Sequence, residues 1–164
     1  MVDWLNDLFW AIDPGESKCG VAIFHKGRCV QALRSVPEEC LDKLWEHLGY
    51  DPAGPSRPAG VVLEAFHLRA DLAAMQTGSQ LGTVQMIGAI RWMCRTRGVP
   101  LMMQTPSQAH GIEKRLEPFH SWPVRRWASY GQGRDAKMAE LHGYFRVSTS
   151  STTRARQEWL ASLA

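Results

Sequence analysis

The sequence predicts an α/β fold in which one mixed β-sheet carries helices on its faces. The order of apolar segments is the first observation behind this: three strand-like runs follow one another as a meander, and helices then alternate with strands. The runs are also short and bounded by proline and glycine, and two of them end in a carboxylate. Third, a chain of 164 residues that is 45% hydrophobic and 21% charged has ordinary globular composition. At this size about two-thirds of the unfolded surface is buried on folding, so no disulfide staple is needed. Wholesale disorder, a collagen-like repeat and a disulfide scaffold are excluded, and one domain over residues 1–164 is expected, with a core over about 8–146 and a tail over 147–164.

The elements follow in order. Leu8 to Asp13 is an apolar run ending in an acid, broken by Pro14-Gly15. Gly20 to Phe24 restarts a strand, His25-Lys26-Gly27-Arg28 reads as a hairpin turn, and Cys29 to Val36 supplies the third strand. Pro37-Glu38-Glu39 opens a helix through Leu41, Leu44, Trp45 and Leu48, with proline and acids suited to its first turn. A Pro/Gly-dense loop covers 49–60, and Val61-Val62-Leu63-Glu64 is a fourth strand. Asp71 to Gln76 reads as a helical piece, and Ser79 as the N-cap of a helix running to about Arg97 with Gly82, Met86, Ala89, Ile90 and Met93 on its apolar face. On that helix Gly82 and Gly88 permit close approach to a second helix or to the sheet. Pro100 to Gln104 is the fifth strand, 105–132 shows little periodicity, and a last helix is expected from near Arg134 to Phe145. The tail from Ser148 opens with a Ser/Thr run and ends in a short helix.

Met1 to Trp10 has acids at Asp3 and Asp7 and no basic leader, unlike a secretory signal. No apolar run nears the ~18 residues of a membrane span, so no membrane partner is expected. Cys19, Cys29, Cys40 and Cys94 form no CxxC or zinc-like spacing and read as packed thiols of a reducing cytoplasm. The net charge of +3 conceals an asymmetry. Residues 1–90 carry 7 basic and 11 acidic residues, whereas 91–164 carry 12 and 5. Such a split points weakly to an anionic partner such as nucleic acid.

Three acids occupy positions where α/β sheets build sites. Asp13 ends the first strand, Glu64 ends the fourth, and Asp135 opens the last helix within Gly133-Arg134-Asp135-Ala136. If the first and fourth strands are neighbours, Asp13 and Glu64 converge and Asp135 closes over them. Carboxylates so close raise one another's pKa, and a divalent cation relieves the conflict. Oxygen ligands without cysteine or histidine favour Mg²⁺ or Mn²⁺. Two such ions about 4 Å apart can activate water on one side of a phosphodiester and stabilise the leaving 3′-oxygen on the other. Each acid also has a plainer reading. Asp13 before Pro-Gly suits a turn and Asp135 suits a helix dipole, but Glu64 after Val-Val-Leu needs a partner.

These motifs resemble the RuvC-type Holliday-junction resolvases of the RNase H-like superfamily. Ala11-Ile12-Asp13-Pro14-Gly15 with Gly20-Val21-Ala22-Ile23 resembles the first-strand motif, and Val61-Val62-Leu63-Glu64 the fourth. Leu81-Gly82, Met86 to Ile90, Arg97-Gly98-Val99-Pro100 and Gln104-Thr105-Pro106-Ser107 are similar to phage-encoded members in particular. Gly133 to Ala136 with Ala139 and Leu141-His142 resembles the final catalytic helix. The resemblance spans about residues 8–146. It implies a five-stranded mixed sheet in the order 3-2-1-4-5, a homodimer, and Mg²⁺-dependent nicking of four-way DNA junctions, in the cytoplasm of a bacterial or phage-infected cell. Asp13, Glu64 and Asp135 match the metal-binding acids. Three positions before the final Asp, where the family has an acid or histidine, stands Gln132. His142 lies seven residues beyond Asp135, ~10 Å along the helix, too far to share one ion easily. Gln132 and His142 are the two candidates for the remaining ligand, and Glu140 points elsewhere on the helix.

For DNA contact, Arg91, Arg95, Arg97, Lys114, Arg115, Arg125 and Arg126 outnumber Glu113 and Glu117 in the window 91–126. Arg125 and Arg126 lie between Trp122 and Trp127, combining phosphate contact with an aromatic wedge. Phe66, His67 and Arg69 follow Glu64 directly and are placed to line the cleft. Because of Gln132, the alternative is a non-catalytic or weakly catalytic protein that binds branched DNA through the same fold. Asp13-x-Gly15 with Gly20 also resembles a phosphate loop of actin-like nucleotide-binding domains, but 164 residues do not supply the two domains needed to enclose a nucleotide.

Overall fold

A computed structural model describes residues 2–51, 54–65, 81–116, 133–150 and 152–162. The expected helical piece at Asp71 to Gln76, the Ser79 cap and the segment 117–132 lie outside these residues. Strands β1 (Phe9–Asp13), β2 (Cys19–His25) and β3 (Arg28–Ser35) form the antiparallel meander. Strands β4 (Gly60–Glu64) and β5 (Leu101–Gln104) extend it in parallel on the other side of β1. The sheet order is β3-β2-β1-β4-β5, as the resemblance implies. Lys26 and Gly27 both take positive φ, 52° and 69°, the backbone of a two-residue hairpin turn that matches strand twist.

Alternation along β1, β2 and β4 divides the core. Phe9, Ala11, Ala22, Phe24 and Val62 face one side, while Trp10, Ile12, Val21, Val61 and Leu63 face the other. Both faces are covered, which is why these strands read as nearly continuous apolar runs. The second face packs on α1 (Pro37–Leu48) and α2 (Leu81–Arg97) through Leu44, Leu48, Met86, Ile90 and Cys94. Pro37 occupies the first turn of α1 with Glu38 and Glu39. The four cysteines are free thiols and all buried.

The first face packs on α3 (Pro106–Leu116), α4 (Gly133–Ser150) and α5 (Thr153–Ser162). Helix α3 corrects the expectation of an irregular stretch from 105. Its signal is the sequence Thr105-Pro106-Ser107-Gln108, in which the Gln108 Oε1 accepts the Thr105 backbone N–H at 2.7 Å and proline takes the first helical position. Ala109, Ile112 and Leu116 then bury its inner face at helical spacing. Helix α4 also outruns its expected end at Phe145. The hydroxyls of Ser148, Thr149 and Ser150 donate back to the carbonyls of Phe145 and Arg146, so the Ser/Thr run stays helical. The expected boundary at 146–147 therefore falls inside a helix whose Val147 and Ser148 are buried. Thr152 caps α5 through its hydroxyl to the Ala155 N–H, and Trp159 donates its indole N–H to the Gly27 carbonyl at 2.8 Å.

Two glycines let α4 reach the sheet. A Cβ on Gly20 would lie 1.9 Å from the Asp135 carbonyl oxygen, and one on Gly143 would lie 2.0 Å from the Phe24 ring. Gly88, by contrast, faces open space, so the permitted close approach is not used there. Gly20→Ala is therefore expected to lower stability by about 1–3 kcal/mol. Gly88→Ala is expected to raise it by about 0.5–1 kcal/mol through helix propensity. Urea unfolding of the two variants checks this, and equal effects would contradict the packing described.

Candidate functional site

The strand register sets four residues in a row on the face beneath α4. Asp13 pairs with Gly20 across β1 and β2, Ile12 pairs with Leu63, and Glu64 pairs with Gln104 across β4 and β5. Read across the sheet, the row is Gly20, Asp13, Glu64, Gln104. For β1 with β2 and for β4 with β5 it is the last paired position at this end, where the apolar face stops. Glycine at the β2 position leaves room for the first turn of α4, which brings Asp135 over the row.

Asp13 records the proximity of the other two acids. Burial first, then the charges of Glu64 and Asp135, push its carboxyl up to about 8. The neighbours are held by other side chains. Arg34, from β3 opposite Gly20, makes an ion pair with Asp135 at 2.9 Å (Nε to Oδ2). The Glu64 Oε2 lies 2.5 Å from the His142 Nε2, and the His142 Nδ1 lies 2.9 Å from the Gln104 Oε1. His142 is fully buried and Gln104 is 3% exposed, whereas 18% of the Glu64 side chain remains exposed. Lys137, one turn into α4, pairs with Glu113 and ties α3 to the same helix.

The three acids singled out in the sequence thus share one site. Among the described residues, no three acids, histidines or cysteines close around a point as a finished metal cage. Arg34 and His142 each engage one carboxylate. The chemistry of the donor set still fits a hard divalent cation: carboxylate oxygens, one of them on a half-buried acid whose charge is disfavoured by its neighbours. Arg34 and Gln104 were not anticipated. Arg34 carries no local signal, and Gln104 gains meaning only from its register with Glu64. Glu140, expected to point elsewhere, is fully buried.

The proposed DNA-contacting residues divide. Phe66, His67, Arg69, Arg125 and Arg126, like Gln132, lie outside the described residues. Arg91 and Arg95 are exposed on α2 and line a hollow with Trp92, Val99 and Leu101, at the end of β5 opposite Gln104. Lys114 and Arg115 are exposed in the last turn of α3, where Arg115 borders a hollow with Ser107, Gln108 and Phe145. The carboxylate row contains none of these four. Among the described residues, no helix is long and apolar enough to cross a membrane.

No family model matches the chain, and no curated protein matches it. Among solved structures, Thermus thermophilus RuvC in complex with a Holliday junction substrate is similar, with a TM-score of 0.55 and 16% identity over 88% of this chain and 96% of that one. A further Thermus thermophilus RuvC structure matches with a TM-score of 0.49, also at 16% identity, over 87% of this chain and 97% of that one. The likeness is one of fold: the five-stranded sheet in the order 3-2-1-4-5 with its flanking helices is the RNase H-like fold of RuvC.

Asp13 sets a pH dependence of definite sign. The folded carboxyl keeps its proton up to about pH 8, while the unfolded one releases it near 3.8. Its contribution to stability is complete below the lower value and is lost as pH rises through the upper one. In metal-free buffer, Asp13→Asn should therefore gain stability over the wild type between about pH 5 and about pH 9, by an amount on the order of a few kcal/mol. Urea titrations at the two pH values check this, and a gap that stays flat or shrinks contradicts the burial described.

Proposed function

We propose that this chain is a metal-dependent endonuclease that cuts four-way or branched DNA by phosphodiester hydrolysis. The observation that carries the reading is Asp13 and Glu64 on neighbouring strands, each one residue beyond the registered pair Ile12 and Leu63, with Asp135 close by: three carboxylates concentrated where one is already driven toward its neutral form. Asp13, the outer oxygen of Glu64 and Asp135 would hold Mg²⁺, with Mn²⁺ able to substitute. Two such ions, when bound, supply an activated water and neutralise charge at the leaving 3′-oxygen. The protein's own part is to hold the acids rigidly. Asp13 is fixed by the strand ladder, Glu64 by His142, and Asp135 by the first turn of α4 against Gly20. Arg34 stands beside the site with 41% of its side chain exposed, and its guanidinium can take a DNA phosphate when Asp135 turns to a cation.

The fold shared with a RuvC–junction complex supports branched DNA as the partner. A two-fold symmetric junction would be served by two copies of the chain, hence a homodimer. The Arg34–Asp135 pair favours one other reading, a branched-DNA-binding protein in which that carboxylate is neutralised by arginine.

A nicking assay on synthetic four-way junction, flap and linear duplex, each with Mg²⁺ and Mn²⁺, separates the two readings. Symmetric nicking of the junction is expected, with linear duplex left intact. Asp13→Asn and Glu64→Gln should each slow it at least about a hundredfold, close to 2.7 kcal/mol of transition-state stabilisation, with junction binding retained. Wild-type protein that binds the junction and cuts with neither metal would establish the binding reading.

A further inference from the structure

His142 is a fully buried imidazole with both ring nitrogens engaged by polar side chains from different strands. Its partners are not interchangeable. An ionised carboxylate only accepts hydrogen bonds, so the Nε2 facing the Glu64 Oε2 carries the hydrogen. The Nδ1 faces the Gln104 amide, whose Nε2 is itself buried and, with the amide oxygen turned to the ring, has no partner among the described residues. Turning that amide over makes its N–H the donor to Nδ1 and leaves the ring neutral; keeping it makes the ring a donor at both nitrogens. In either case Nε2–H donates to Glu64. The 2.5 Å separation puts the two atoms in hydrogen-bond contact.

We propose that His142 is the positioning residue of Glu64. It fixes the inner oxygen, Oε2, and leaves Oε1 as the oxygen presented to a divalent cation. Gln104 fixes the ring in turn through Nδ1. His142 is therefore not itself a metal ligand: both nitrogens are used, and the ring has no exposed surface. This inference rests on the metal-dependent reading of the same site.

The test combines Mn²⁺ binding, followed by the loss of the free-ion electron paramagnetic resonance signal, with the imidazole proton spectrum. His142→Leu removes the donor and should weaken Mn²⁺ binding about 10–100-fold, the usual cost of removing a group that orients a ligand. His142→Gln puts an amide N–H near the place of Nε2 and should bind Mn²⁺ within about threefold of wild type. His142→Asn is too short to reach Glu64 and should behave as His142→Leu does, which keeps the comparison open if the leucine variant fails to fold. The wild-type spectrum should contain a hydrogen-bonded Nε2–H resonance of His142 that Glu64→Ala abolishes. If Glu64→Gln weakens Mn²⁺ binding but neither His142→Leu nor His142→Asn does, the positioning role is overturned and the metal reading stands. If neither Asp13→Asn nor Glu64→Gln alters Mn²⁺ binding, the metal reading falls. The contact with Glu64 is then judged by the proton resonance alone, and its absence, or its persistence in Glu64→Ala, overturns that too.

Discussion

The close approach of α4 to β2 is the contact on which the rest of the structure depends. Helix and strand meet with no Cβ between them at Gly20 and Gly143. At the first, the backbone of Asp135 comes down onto the polar row; at the second, the Phe24 ring fills the space a side chain would need. Tyr144 follows, packing edge-on against Phe24, and its hydroxyl oxygen accepts the Cys29 backbone N–H of β3 at 3.2 Å. Widening this interface by one methyl would displace at once the aromatic packing at one end of the helix and the acid at the other. Core and site are therefore a single packing problem.

The same approach creates an electrostatic conflict. Carboxylates at the ends of two adjacent, paired strands cannot move apart, and a third acid lies close to both. The protein answers with partners of two kinds. Arg34 reaches Asp135 from the exposed edge of β3, partly in solvent, where an ion pair stabilises only modestly. His142 reaches Glu64 from inside, where desolvation makes the hydrogen bond stronger and its loss more costly. Among the described residues Asp13 has no such hydrogen bond or ion pair, only the charge of Arg134 to ease it, and its carboxyl rises to about 8. The conflict thus falls on the central acid of the three, the one that a cation bound between its neighbours would relieve most.

Legibility in the sequence followed the range of the interaction. Asp13, Glu64 and Asp135 could be read because each closes or opens an element whose boundary is local: an apolar run before Pro-Gly, an apolar run before a loop, a glycine before a helix. The strand order came from resemblance to a known family, since periodicity cannot order strands. Helix α3 was legible in principle from Thr105-Pro106-Ser107-Gln108, but the prolines and glycines that follow masked it. Arg34 and Gln104 were not legible at all. An arginine on a half-exposed strand looks the same whether it faces solvent or a carboxylate. A glutamine at a strand end gains its role only when pairing sets it beside Glu64.

His142 shows how a correct local measurement can answer the wrong question. Seven residues of helix rise about 10 Å, and that distance rightly argues against one ion shared by Asp135 and His142. The row beneath the helix, however, is itself extended. From Gly20 on β2 to Glu64 on β4 it crosses two inter-strand spacings, again about 10 Å. Asp135 meets the row at its β2 end, and His142 meets it at Glu64 and Gln104. The helix therefore contributes to the site twice, once by presenting an acid and once by holding one. The spacing that removes His142 from the ligand set is the spacing that brings it to Glu64.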